Sequence, residues 1–435
     1  MDIALIAALI MFCGTVFFLV IGAPISISVG ISSFGAMLAI LPMKGAMITS
    51  AQRIFVGLDS FALLAIPFFI LAGNIMNNGG IAIRLINFSK IFSGFLPGSL
   101  AQTNIVSNML FGSISGSGVA SAAAVGGIMS PIQRKEGYDP AFSTAVNIAS
   151  APTGMLIPPS NTLIVYATVA GSVSISALFM GGYVPGILWG LGVMLVAGFM
   201  AKRRGYVLRH TMSLRECLKV AVDAIPSLSM IVVVIGGILG GVFTATEASA
   251  IAVVYSLFLS LCYRSLDVRT LPAIFLSTAK MSAIVIFMLA TSSIMSWVMA
   301  FTQIPGMIAD SLLSLTSNPI IILLIINIVL LFVGTFMDPT PAVLIFTPIF
   351  LPICTGLGMD PVQFGILLVF NLSLGTITPP VGPILFTGCK VSGISIDAVV
   401  KTLLPFFVVI VGVLMLVTYI PAISMTVPQL MGLIK

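Results

Sequence analysis

The chain has 435 residues, of which 59% are hydrophobic and 7% are charged, with 18 Lys and Arg, 12 Asp and Glu and one His. Soluble domains carry roughly 25% charged residues, so this composition excludes a water-exposed globular surface and predicts a bundle of membrane-spanning helices. The formal charge of +6 is spread too thinly along the chain to predict nucleic-acid binding.

The motifs of most enzymes are also missing from the sequence. With one histidine, no Cys-x-x-Cys pair and no Gly-x-x-x-x-Gly-Lys-[Ser/Thr] motif, the chain offers no zinc cluster, no Ser-His-Asp triad and no phosphate-binding loop. The five cysteines share no spacing and lie in or beside apolar segments, which is typical of packing residues. An intramembrane enzyme would need a nucleophile beside a base or a metal, and the sequence shows no such pair.

Apolar segments follow one another along the whole chain. Because Asp2 precedes the first of them, residues 3–21, a positively charged signal peptide is not expected, and this run is interpreted as a transmembrane helix. A stretch at 42–58 is expected to lie at the membrane interface. The remaining apolar segments are 24–41, 60–78, 99–116, 118–133, 139–170, 177–201, 220–242, 246–263, 273–301, 319–336, 339–355, 360–389 and 398–420.

The sequence repeats itself at a shift of 221 residues. The residues that coincide in this gapless register are Pro131 with Pro352, Gly137 with Gly358, Asp139-Pro140 with Asp360-Pro361, Gly154 with Gly375, Pro158-Pro159 with Pro379-Pro380, and Ser174-Ile175 with Ser395-Ile396. The alternative is that two residue types common in this chain, Gly and Pro, coincide by chance. We interpret the register as two structural repeats, residues 1–210 and 211–435.

Each predicted repeat has the same order of elements: three spanning helices, a short amphipathic stretch, two short apolar segments, an interrupted helix and a final helix. The short segments have about 16 to 18 residues, which is marginal for a crossing, so we expect re-entrant hairpins at 99–133 and 319–355. The interrupted helices are expected at 139–170 and 360–389. The predicted fold is an all-α polytopic membrane protein.

The distribution of charge supports an inverted arrangement of the two repeats. Hairpins that do not cross leave five crossings in each repeat, an odd number, so the second repeat is expected upside down relative to the first. When the basic loop 202–219 is placed in the cytoplasm, most Lys and Arg residues fall inside. Lys44, Arg53 and the terminal Lys435 are the exceptions, and both termini are predicted to lie outside.

The chemistry is expected where these helices break. The hairpins turn at 112–121 and 334–341, and the interrupted helices break at 147–161 and 371–383, in segments rich in Gly, Pro, Ser, Thr and Asn. Proline removes a backbone donor and glycine permits the turn, which leaves carbonyl oxygens free beside hydroxyl and amide oxygens. Such an oxygen cage suits a hard monovalent cation such as Na⁺, and half-helix N-termini at the same level favour an anion.

Two cation sites and a substrate site are predicted from these segments. The first cation site is predicted from Ser115, Gly116, Ser117, Thr153, Gly154, Pro158 and Ser160, and the second from Asp338, Thr340, Gly375, Thr376 and Thr378. The substrate candidates at the same breaks are Ser115, Ser117, Asn147, Ser150, Asn371 and Thr378.

Two of these assignments have a purely structural alternative. Asp338 is the only acid predicted deep in the membrane, where an ionisable group is a functional candidate. Asp-Pro is also a good helix start, and a capping role is compatible with binding. The Gly- and Ser-rich segment 112–121 is also typical of close helix packing.

Over essentially its whole length, the chain resembles the large membrane (M) subunit of the TRAP transporters. These are the tripartite ATP-independent periplasmic systems for organic acids, within the wider ion-transporter superfamily. The resemblance lies in the tips at 112–121 and Asp338-Pro-Thr340, in the breaks at Pro158-Pro159 and Pro379-Pro380, and in the two-repeat plan. It implies uptake coupled to Na⁺ at two or more sites, and an elevator motion of the hairpins and broken helices against the remaining helices.

The resemblance also implies partners and a location. A small four-helix membrane subunit (Q type) is expected as a separate chain. A soluble periplasmic substrate-binding protein (P type) is expected to deliver a small carboxylate of the four-carbon dicarboxylate or sialic acid kind. The chain is expected in the lipid bilayer of the bacterial inner membrane with both termini periplasmic, and no nucleic-acid partner is expected.

Two other functions are compatible with parts of this pattern. A free-standing organic-anion transporter or exchanger, coupled to Na⁺ or H⁺, would need no binding protein. A passive pore would need a continuous polar path, whereas the hairpins and interrupted helices favour alternating access.

Overall fold

The computed structural model describes residues 3–171, 173–206, 213–316, 318–379 and 381–434, and within these ranges it contains helices and no strands. Short 3₁₀ segments occur at Phe61–Leu64, Ala151–Met155 and Val268–Thr270. The α-helices in chain order are α1 (Ile3–Val20), α2 (Ile25–Ile40), α3 (Met43–Leu58), α4 (Ala65–Asn78), α5 (Ile81–Ser93), α6 (Ser99–Ser115), α7 (Gly118–Lys135), α8 (Pro140–Ser150), α9 (Asn161–Ala170), α10 (Ile175–Arg203), α11 (Leu214–Leu239), α12 (Ala245–Cys262), α13 (Leu271–Phe301), α14 (Ile304–Leu315), α15 (Pro319–Gly334), α16 (Pro339–Gly356), α17 (Pro361–Gly375), α18 (Pro383–Ser392), α19 (Ile396–Tyr419) and α20 (Ala422–Leu430).

Within the described ranges, eight helical segments are long and apolar enough to cross a bilayer. They are α1, the continuous segment Phe61–Asn78 that includes α4, and α10, α11, α12, α13, α16 and α19. The predicted all-helical membrane fold is therefore confirmed. By length alone α16 would count as a spanning helix, but it pairs with α15 in a hairpin, as the sequence predicted.

The first predicted hairpin consists of α6 and α7. Its tip is Gly116, which has a left-handed φ of 62°, followed by Ser117, whose hydroxyl accepts a hydrogen bond from the N–H of Ala120 at 3.3 Å. Glycine adopts this backbone conformation without the steric penalty that a Cβ brings. The serine then caps the N-terminus of α7, so the two residues together turn the chain and start the returning arm.

The second hairpin consists of α15 and α16, and it turns through a different local structure. Asp338 caps the N-terminus of α16, and its Oδ1 accepts a hydrogen bond from the N–H of Thr340 at 3.1 Å. Pro339 occupies the first helical position, where no intrahelical donor is needed. The capping role considered from the sequence is thus present at this tip.

Both predicted interrupted helices are broken in the structure. In the first, α8 continues into the 3₁₀ segment Ala151–Met155, and α9 starts only at Asn161. Pro158 and Pro159 have no amide hydrogen, so the carbonyls four residues earlier lose their helical partners. In the second, α17 ends at Gly375 and α18 begins at Pro383; Pro380 lies outside the described residues.

Residues that align at the shift of 221 occupy equivalent positions in the two halves. Asp139 and Asp360 each cap the first part of a broken helix, accepting a bond from the backbone N–H two residues later at 3.0 and 2.7 Å. Gly137 and Gly358 precede these caps with left-handed φ values of 78° and 87°. The same local structure therefore occurs twice, at the positions that the register predicted.

The membrane orientation of the two halves stays a prediction. The proposed boundary between residues 210 and 211 lies outside the described residues, as do Asp2, His210 and Lys435.

One helix of the structure was not predicted from the sequence. The apolar segments inferred from the sequence stop at 420, but α20 (Ala422–Leu430) follows and packs against α10.

The two halves interlock through their hairpins and broken helices. The second arm of the first hairpin, α7, packs against α18, and the second arm of the second hairpin, α16, packs against α9. Likewise α8 contacts α19, and α17 contacts α10. Each half thus covers the broken helix of the other. We call α6–α10 with α15–α20 the broken-helix body.

The remaining helices, α1–α5 and α11–α14, form a second group that we call the framework. Within it α1 packs on α2, α2 on α13, α4 on α12, and α5 on α11. It meets the broken-helix body where α5 contacts α6, where α13 contacts α16 and where α4 contacts α9. Burial distinguishes the centre from the edge: every residue of α17 after Pro361 is buried, whereas α1 buries only Ala7 and Met11.

Two glycine pairs hold the hairpins against the broken helices. A Cβ placed on Gly154 would lie 2.2 Å from the Cα of Gly112, and a Cβ placed on Gly375 would lie 2.4 Å from the carbonyl carbon of Gly334. In each half, therefore, the first hairpin arm crosses the break at a distance that only glycine permits. Gly154 and Gly375, which align at the shift of 221, therefore have the same packing role in their respective halves.

Alanine at either crossing should destabilise the fold. We expect Gly154→Ala and Gly375→Ala each to cost about 1–3 kcal/mol, because the added methyl group meets backbone that cannot rotate away. Thermal unfolding of the purified chain in detergent measures the loss. The control is Gly412→Ala in α19, where a Cβ has no neighbour within 4 Å. Equal melting temperatures for all three variants would contradict the packing role.

The predicted topology places both ends of the chain on one side of the membrane. Single cysteines replacing Ile3 and Met431, both exposed in the fold, should react in whole cells with a thiol reagent that cannot cross the inner membrane. The background needs its exposed native cysteines, Cys13 and Cys262, replaced by alanine. Arg203→Cys, in the basic loop predicted inside, should stay unlabelled until the cells are lysed. Labelling of one end only would disprove the inverted arrangement.

Candidate ion and substrate site

Both hairpin tips and both broken helices border a single cavity of about 110 Å³. The first hairpin contributes residues 115–120 and the second contributes 338–340. The broken helices contribute Asn161 and Thr162 of α9, Thr376 after α17, and Ile384 of α18. Residues from both of the cation sites that the sequence predicted separately therefore border one cavity.

Four helices begin at this cavity: α7, α9, α16 and α18. The N-terminus of a helix carries a partial positive charge of roughly half a unit. At α16 and α18 this charge acts without free N–H groups, because Thr340 donates to Asp338 and the first N–H groups of α18 donate to the Thr376 carbonyl. Because the four N-termini converge on one space, the cavity carries a positive backbone potential without any Lys or Arg at its border. This arrangement is suited to a small anion.

The first hairpin tip places hydroxyl and carbonyl oxygens at the cavity. Ser115 Oγ lies 3.4 Å from the carbonyl oxygen of Ser117, and it also accepts a hydrogen bond from the N–H of Ser117 at 3.4 Å. These contacts are long and leave the oxygens free to turn toward a ligand. A Cβ on Gly116 would lie 3.1 Å from Nδ2 of Asn161, so the tip rests directly on the start of α9.

Asn161 borders the cavity, but it was not among the site residues predicted from the sequence. Its Oδ1 is buried and has no hydrogen-bond partner among the described residues. A buried acceptor without a donor is costly, and a cation is one ligand that would satisfy it. The only signal in the sequence was its position as the last residue of the break at 147–161.

The second hairpin tip brings the carboxylate. Asp338 is the only ionisable side chain among the described residues that border the cavity, and its side chain is exposed to that space. Thr340 and Thr376 lie on the same border. The loop after Thr376 is tied to this tip, because the N–H of Gly382 donates to the carbonyl oxygen of Thr335 at 3.0 Å.

Three of the predicted substrate residues lie behind the cavity wall and hold the hairpins in place. Asn108 of α6 donates from Nδ2 to Oδ1 of Asn147 at 3.0 Å and to Oγ of Ser150 at 2.8 Å. In the other half Asn371 donates from Nδ2 to Oδ1 of Asn327 at 2.7 Å. Each half thus uses an asparagine pair to fix the first hairpin arm to the broken helix.

Other predicted residues are also absent from the border of this cavity. Thr153 and Ser160 are fully buried, and their hydroxyls donate to the carbonyls of Ser150 and Met155. The remaining ones are Gly154 and Gly375, which pack against the hairpins, Pro158, which is buried in the break, and Thr378, whose hydroxyl donates to the Leu374 carbonyl. Of the residues predicted for these sites, those that do border the cavity are Ser115, Gly116, Ser117, Asp338, Thr340 and Thr376.

The framework closes the cavity with a mostly apolar wall. Ile66 and Ile70 of α4 and Met281 and Val285 of α13 face it. Asn74 also borders the cavity, but its Nδ2 donates to Oγ1 of Thr278 within the framework at 2.9 Å. The polar groups at the border therefore come almost entirely from the broken-helix body.

The donor set determines which ion fits. The cavity offers hydroxyl, amide and carboxylate oxygens, together with backbone carbonyls at the tips. The only sulfur at its described border is in the thioethers of Met155 and Met281, and no imidazole lies there. Among the described residues there is no group of three or more His, Cys, Asp or Glu side chains. Oxygen ligands with a single negative charge suit a hard cation such as Na⁺ rather than a transition metal.

Comparison with solved structures shows the fold. The Alcanivorax borkumensis YdaH transporter superposes with a TM-score of 0.61 over 86% of this chain and 88% of that chain, at 14% sequence identity. At this identity the likeness concerns the fold alone.

Comparison with known sequences shows the family. The chain is 54% identical over 422 residues to the uncharacterized protein YgiK of Salmonella typhimurium, covering 97% of each. It is 40% identical over 412 residues to the isethionate TRAP transporter permease protein DctMQ of Oleidesulfovibrio alaskensis, covering 94% of this chain and 64% of that one. It is 39% identical over 407 residues to the C4-dicarboxylate TRAP transporter large permease protein DctM of Pseudomonas aeruginosa, covering 93% and 95%.

The family model described as the tripartite ATP-independent periplasmic transporter, DctM component, matches residues 12–423, almost the whole chain. The resemblance inferred from the tips and breaks is therefore confirmed, and the protein is a transporter component rather than an enzyme. The chain belongs to the DctM family, the large permease component of the tripartite ATP-independent periplasmic transporters, and is a multi-pass protein of the bacterial inner membrane.

Proposed function

We propose that this chain carries an organic acid anion into the cell together with Na⁺. The observation that carries the proposal is the convergence of four helix N-termini, one carboxylate and a set of neutral oxygens on one cavity. The N-termini favour the anion and the oxygens favour the cation. Each bound ion makes the site more favourable for the other, which is the physical basis of coupling.

The residues proposed to hold Na⁺ come from both tips. Asp338, Thr340 and Thr376 supply oxygens on one side, and Ser115, Ser117 and Asn161 supply them on the other. The unpartnered Oδ1 of Asn161 supports this assignment, since a cation would satisfy it. Two sets of oxygens on opposite sides of the cavity are compatible with two or more sodium ions.

The proposed substrate is a small organic acid of a kind that sequence similarity does not specify. Two relatives with almost the same identity to this chain, 40% and 39%, are named for isethionate and for C4-dicarboxylates. The shared fold therefore serves more than one acid. We propose that the helix N-termini bind the common acidic group, while side chains at the border select the remainder.

The proposed transport cycle moves the broken-helix body against the framework. Among the described residues, the side-chain hydrogen bonds that join the two groups are confined to the junction of α5 and α6, where Ser93 contacts Thr103 at 2.7 Å. The wall formed by Ile66, Ile70, Met281 and Val285 contacts the site through apolar surfaces. Such an interface can slide without breaking polar contacts, as an elevator motion requires.

A periplasmic binding protein and a separate small membrane subunit complete the proposed system. The matching family model describes a tripartite system, which supports a role for this chain as one component among several. The proposed orientation has both termini in the periplasm.

Reconstituted transport tests the proposal. A panel of organic acids is first screened for those that stabilise the cognate binding protein against heat. Uptake of the selected acid into liposomes that hold this chain and the small subunit should require both an inward Na⁺ gradient and the binding protein. Uptake driven equally by H⁺ without Na⁺ would refute the coupling. Full uptake without the binding protein would instead favour a free-standing exchanger.

We expect the Na⁺ dependence of uptake to depend on the negative charge of Asp338 more than on its role as a helix cap. Asp338→Asn keeps a side chain that caps a helix well, but it removes the negative charge from the cavity. We expect the Na⁺ concentration for half-maximal uptake to rise about tenfold or more, since affinity for a hard cation depends on ligand charge.

The matched control for this variant is Asp360→Asn. Asp360 is also an Asp-Pro cap, and its Oδ1 accepts a bond from the N–H two residues later at 2.7 Å, but it does not border the cavity. The Asp360→Asn variant should therefore leave the Na⁺ dependence of uptake unchanged. If the two variants shift the Na⁺ dependence equally, Asp338 is only a cap, and the second cation site lies elsewhere.

A further inference from the structure

A second and larger cavity, of about 570 Å³, lies between the framework and the broken-helix body. It is bordered by α3 and α13 on one side and by α9 and α16 on the other. It is distinct from the cavity at the hairpin tips, and it is not part of the predicted cation or substrate sites. Its location between the two groups means that a ligand bound there would contact both.

The two cavities are successive levels of one cleft. Along α13, Val285 borders the first cavity and Ser296 borders the second, and a helical rise of 1.5 Å per residue separates them by about 16 Å. Along α9, Val165 borders the first and Thr168 the second, one turn later. On both helices the second cavity therefore follows the first in the direction of the chain.

The second cavity has a cationic side chain where the first has a carboxylate. Arg53 of α3 borders it and is exposed. Among the described residues no carboxylate lies within ion-pair distance of Arg53. In contrast, Arg84 and Arg204 pair with Asp223 and Asp139. The guanidinium of Arg53 is thus free for an external anion.

Hydroxyl groups lie opposite this arginine. Ser292, Ser293 and Ser296 of α13 border the cavity together with Ser60 and Thr168. Ser292 is only 4% exposed, and its Oγ has no hydrogen-bond partner in the described part of the chain.

The missing partner of Ser292 distinguishes it from the adjacent hydroxyls of Thr291 and Ser293, although Ser282 of the same helix also lacks one. Thr278, Thr291 and Ser293 of α13 all donate to a carbonyl of their own helix, at 2.9 to 3.0 Å. The hydroxyl of Ser292 does not. It therefore remains a buried donor at the cavity that a ligand can use.

A glycine brings the arginine and the serines together. A Cβ placed on Gly57 would lie 1.9 Å from Oγ of Ser293, so α3 and α13 approach as closely as they do only because residue 57 is glycine. Arg53 lies one helical turn before Gly57, on the same face of α3. The close contact thus holds the backbone of α3 at Arg53 one turn away from the serine-bearing part of α13, and all of these residues border the same cavity.

We infer that this second cavity is an anion subsite, in which Arg53 and the hydroxyls of Ser292 and Ser296 hold the carboxylate of an organic acid before or after it occupies the cavity at the hairpin tips. Arginine and hydroxyl donors match the two oxygens of a carboxylate. The inference rests on the proposed function for the identity of the anion. An anionic lipid headgroup would offer the same oxygens, so the test separates these two sources.

The test uses the full chain in nanodiscs of phosphatidylcholine, with Ala300→Cys at the exposed border of the cavity as the reporter and the native cysteines replaced by alanine. The rate of thiol modification is measured with an anionic and with a cationic methanethiosulfonate reagent. We expect Arg53→Gln to lower the ratio of the anionic to the cationic rate by about tenfold, because it removes the local attraction for anions. Lys44→Gln on the same helix, outside the cavity border, should leave the ratio unchanged.

Protection by a soluble acid identifies the ligand source. Millimolar succinate should slow the modification in the chain that retains Arg53 and have no effect in Arg53→Gln. An unchanged rate ratio in Arg53→Gln would overturn the subsite. Protection by phosphatidylglycerol in the nanodisc, without any effect of succinate, would overturn its assignment to a soluble carboxylate. Because thiol modification needs neither Na⁺ nor transport, these failures are distinguishable from a failure of Na⁺-driven uptake.

Discussion

The structure depends on one constraint, that backbone N–H and C=O groups inside a bilayer must find partners within the protein. At the break of a helix some backbone N–H and C=O groups lose their helical partners, so such a break is stable in a bilayer only where other parts of the protein cover it. Here the cover is supplied by the hairpins, which cross the breaks at Gly112 with Gly154 and at Gly334 with Gly375. Asparagine side chains then fix each arm to its broken helix. The functional cavity is a consequence of this cover.

Two copies of the same unit are needed to complete the cavity. Each hairpin packs against the second part of the broken helix in the other half, α7 on α18 and α16 on α9. This exchange aligns four helix N-termini at one level, which neither half could do alone. The arrangement concentrates partial positive charge with no cationic side chain at the border, so that Asp338 and the neutral oxygens can attract a cation beside a bound anion.

The framework has a different role from the body that it contacts. Its side chains at the cavity are mainly apolar, and polar side-chain contacts between the described parts of the two groups are restricted to the junction of α5 and α6. The exception is the second level of the cleft, where Arg53 and the serines of α13 form a polar wall on the framework side. A cationic residue at one level and helix N-termini at the next are consistent with the proposed passage of an anion along this cleft.

The sequence by itself determined the membrane class, the two hairpins and the two breaks, because Gly, Pro and capping residues act locally and recur at a fixed shift. It also identified Ser115, Ser117, Asp338, Thr340 and Thr376 at the cavity border. Only the tertiary structure decided that Asn147, Ser150 and Asn371 face the hairpin arms while Asn161 faces the cavity. All four belong to polar, Pro- and Gly-rich breaks, and which side of a break each faces depends on how helices distant in sequence pack around it.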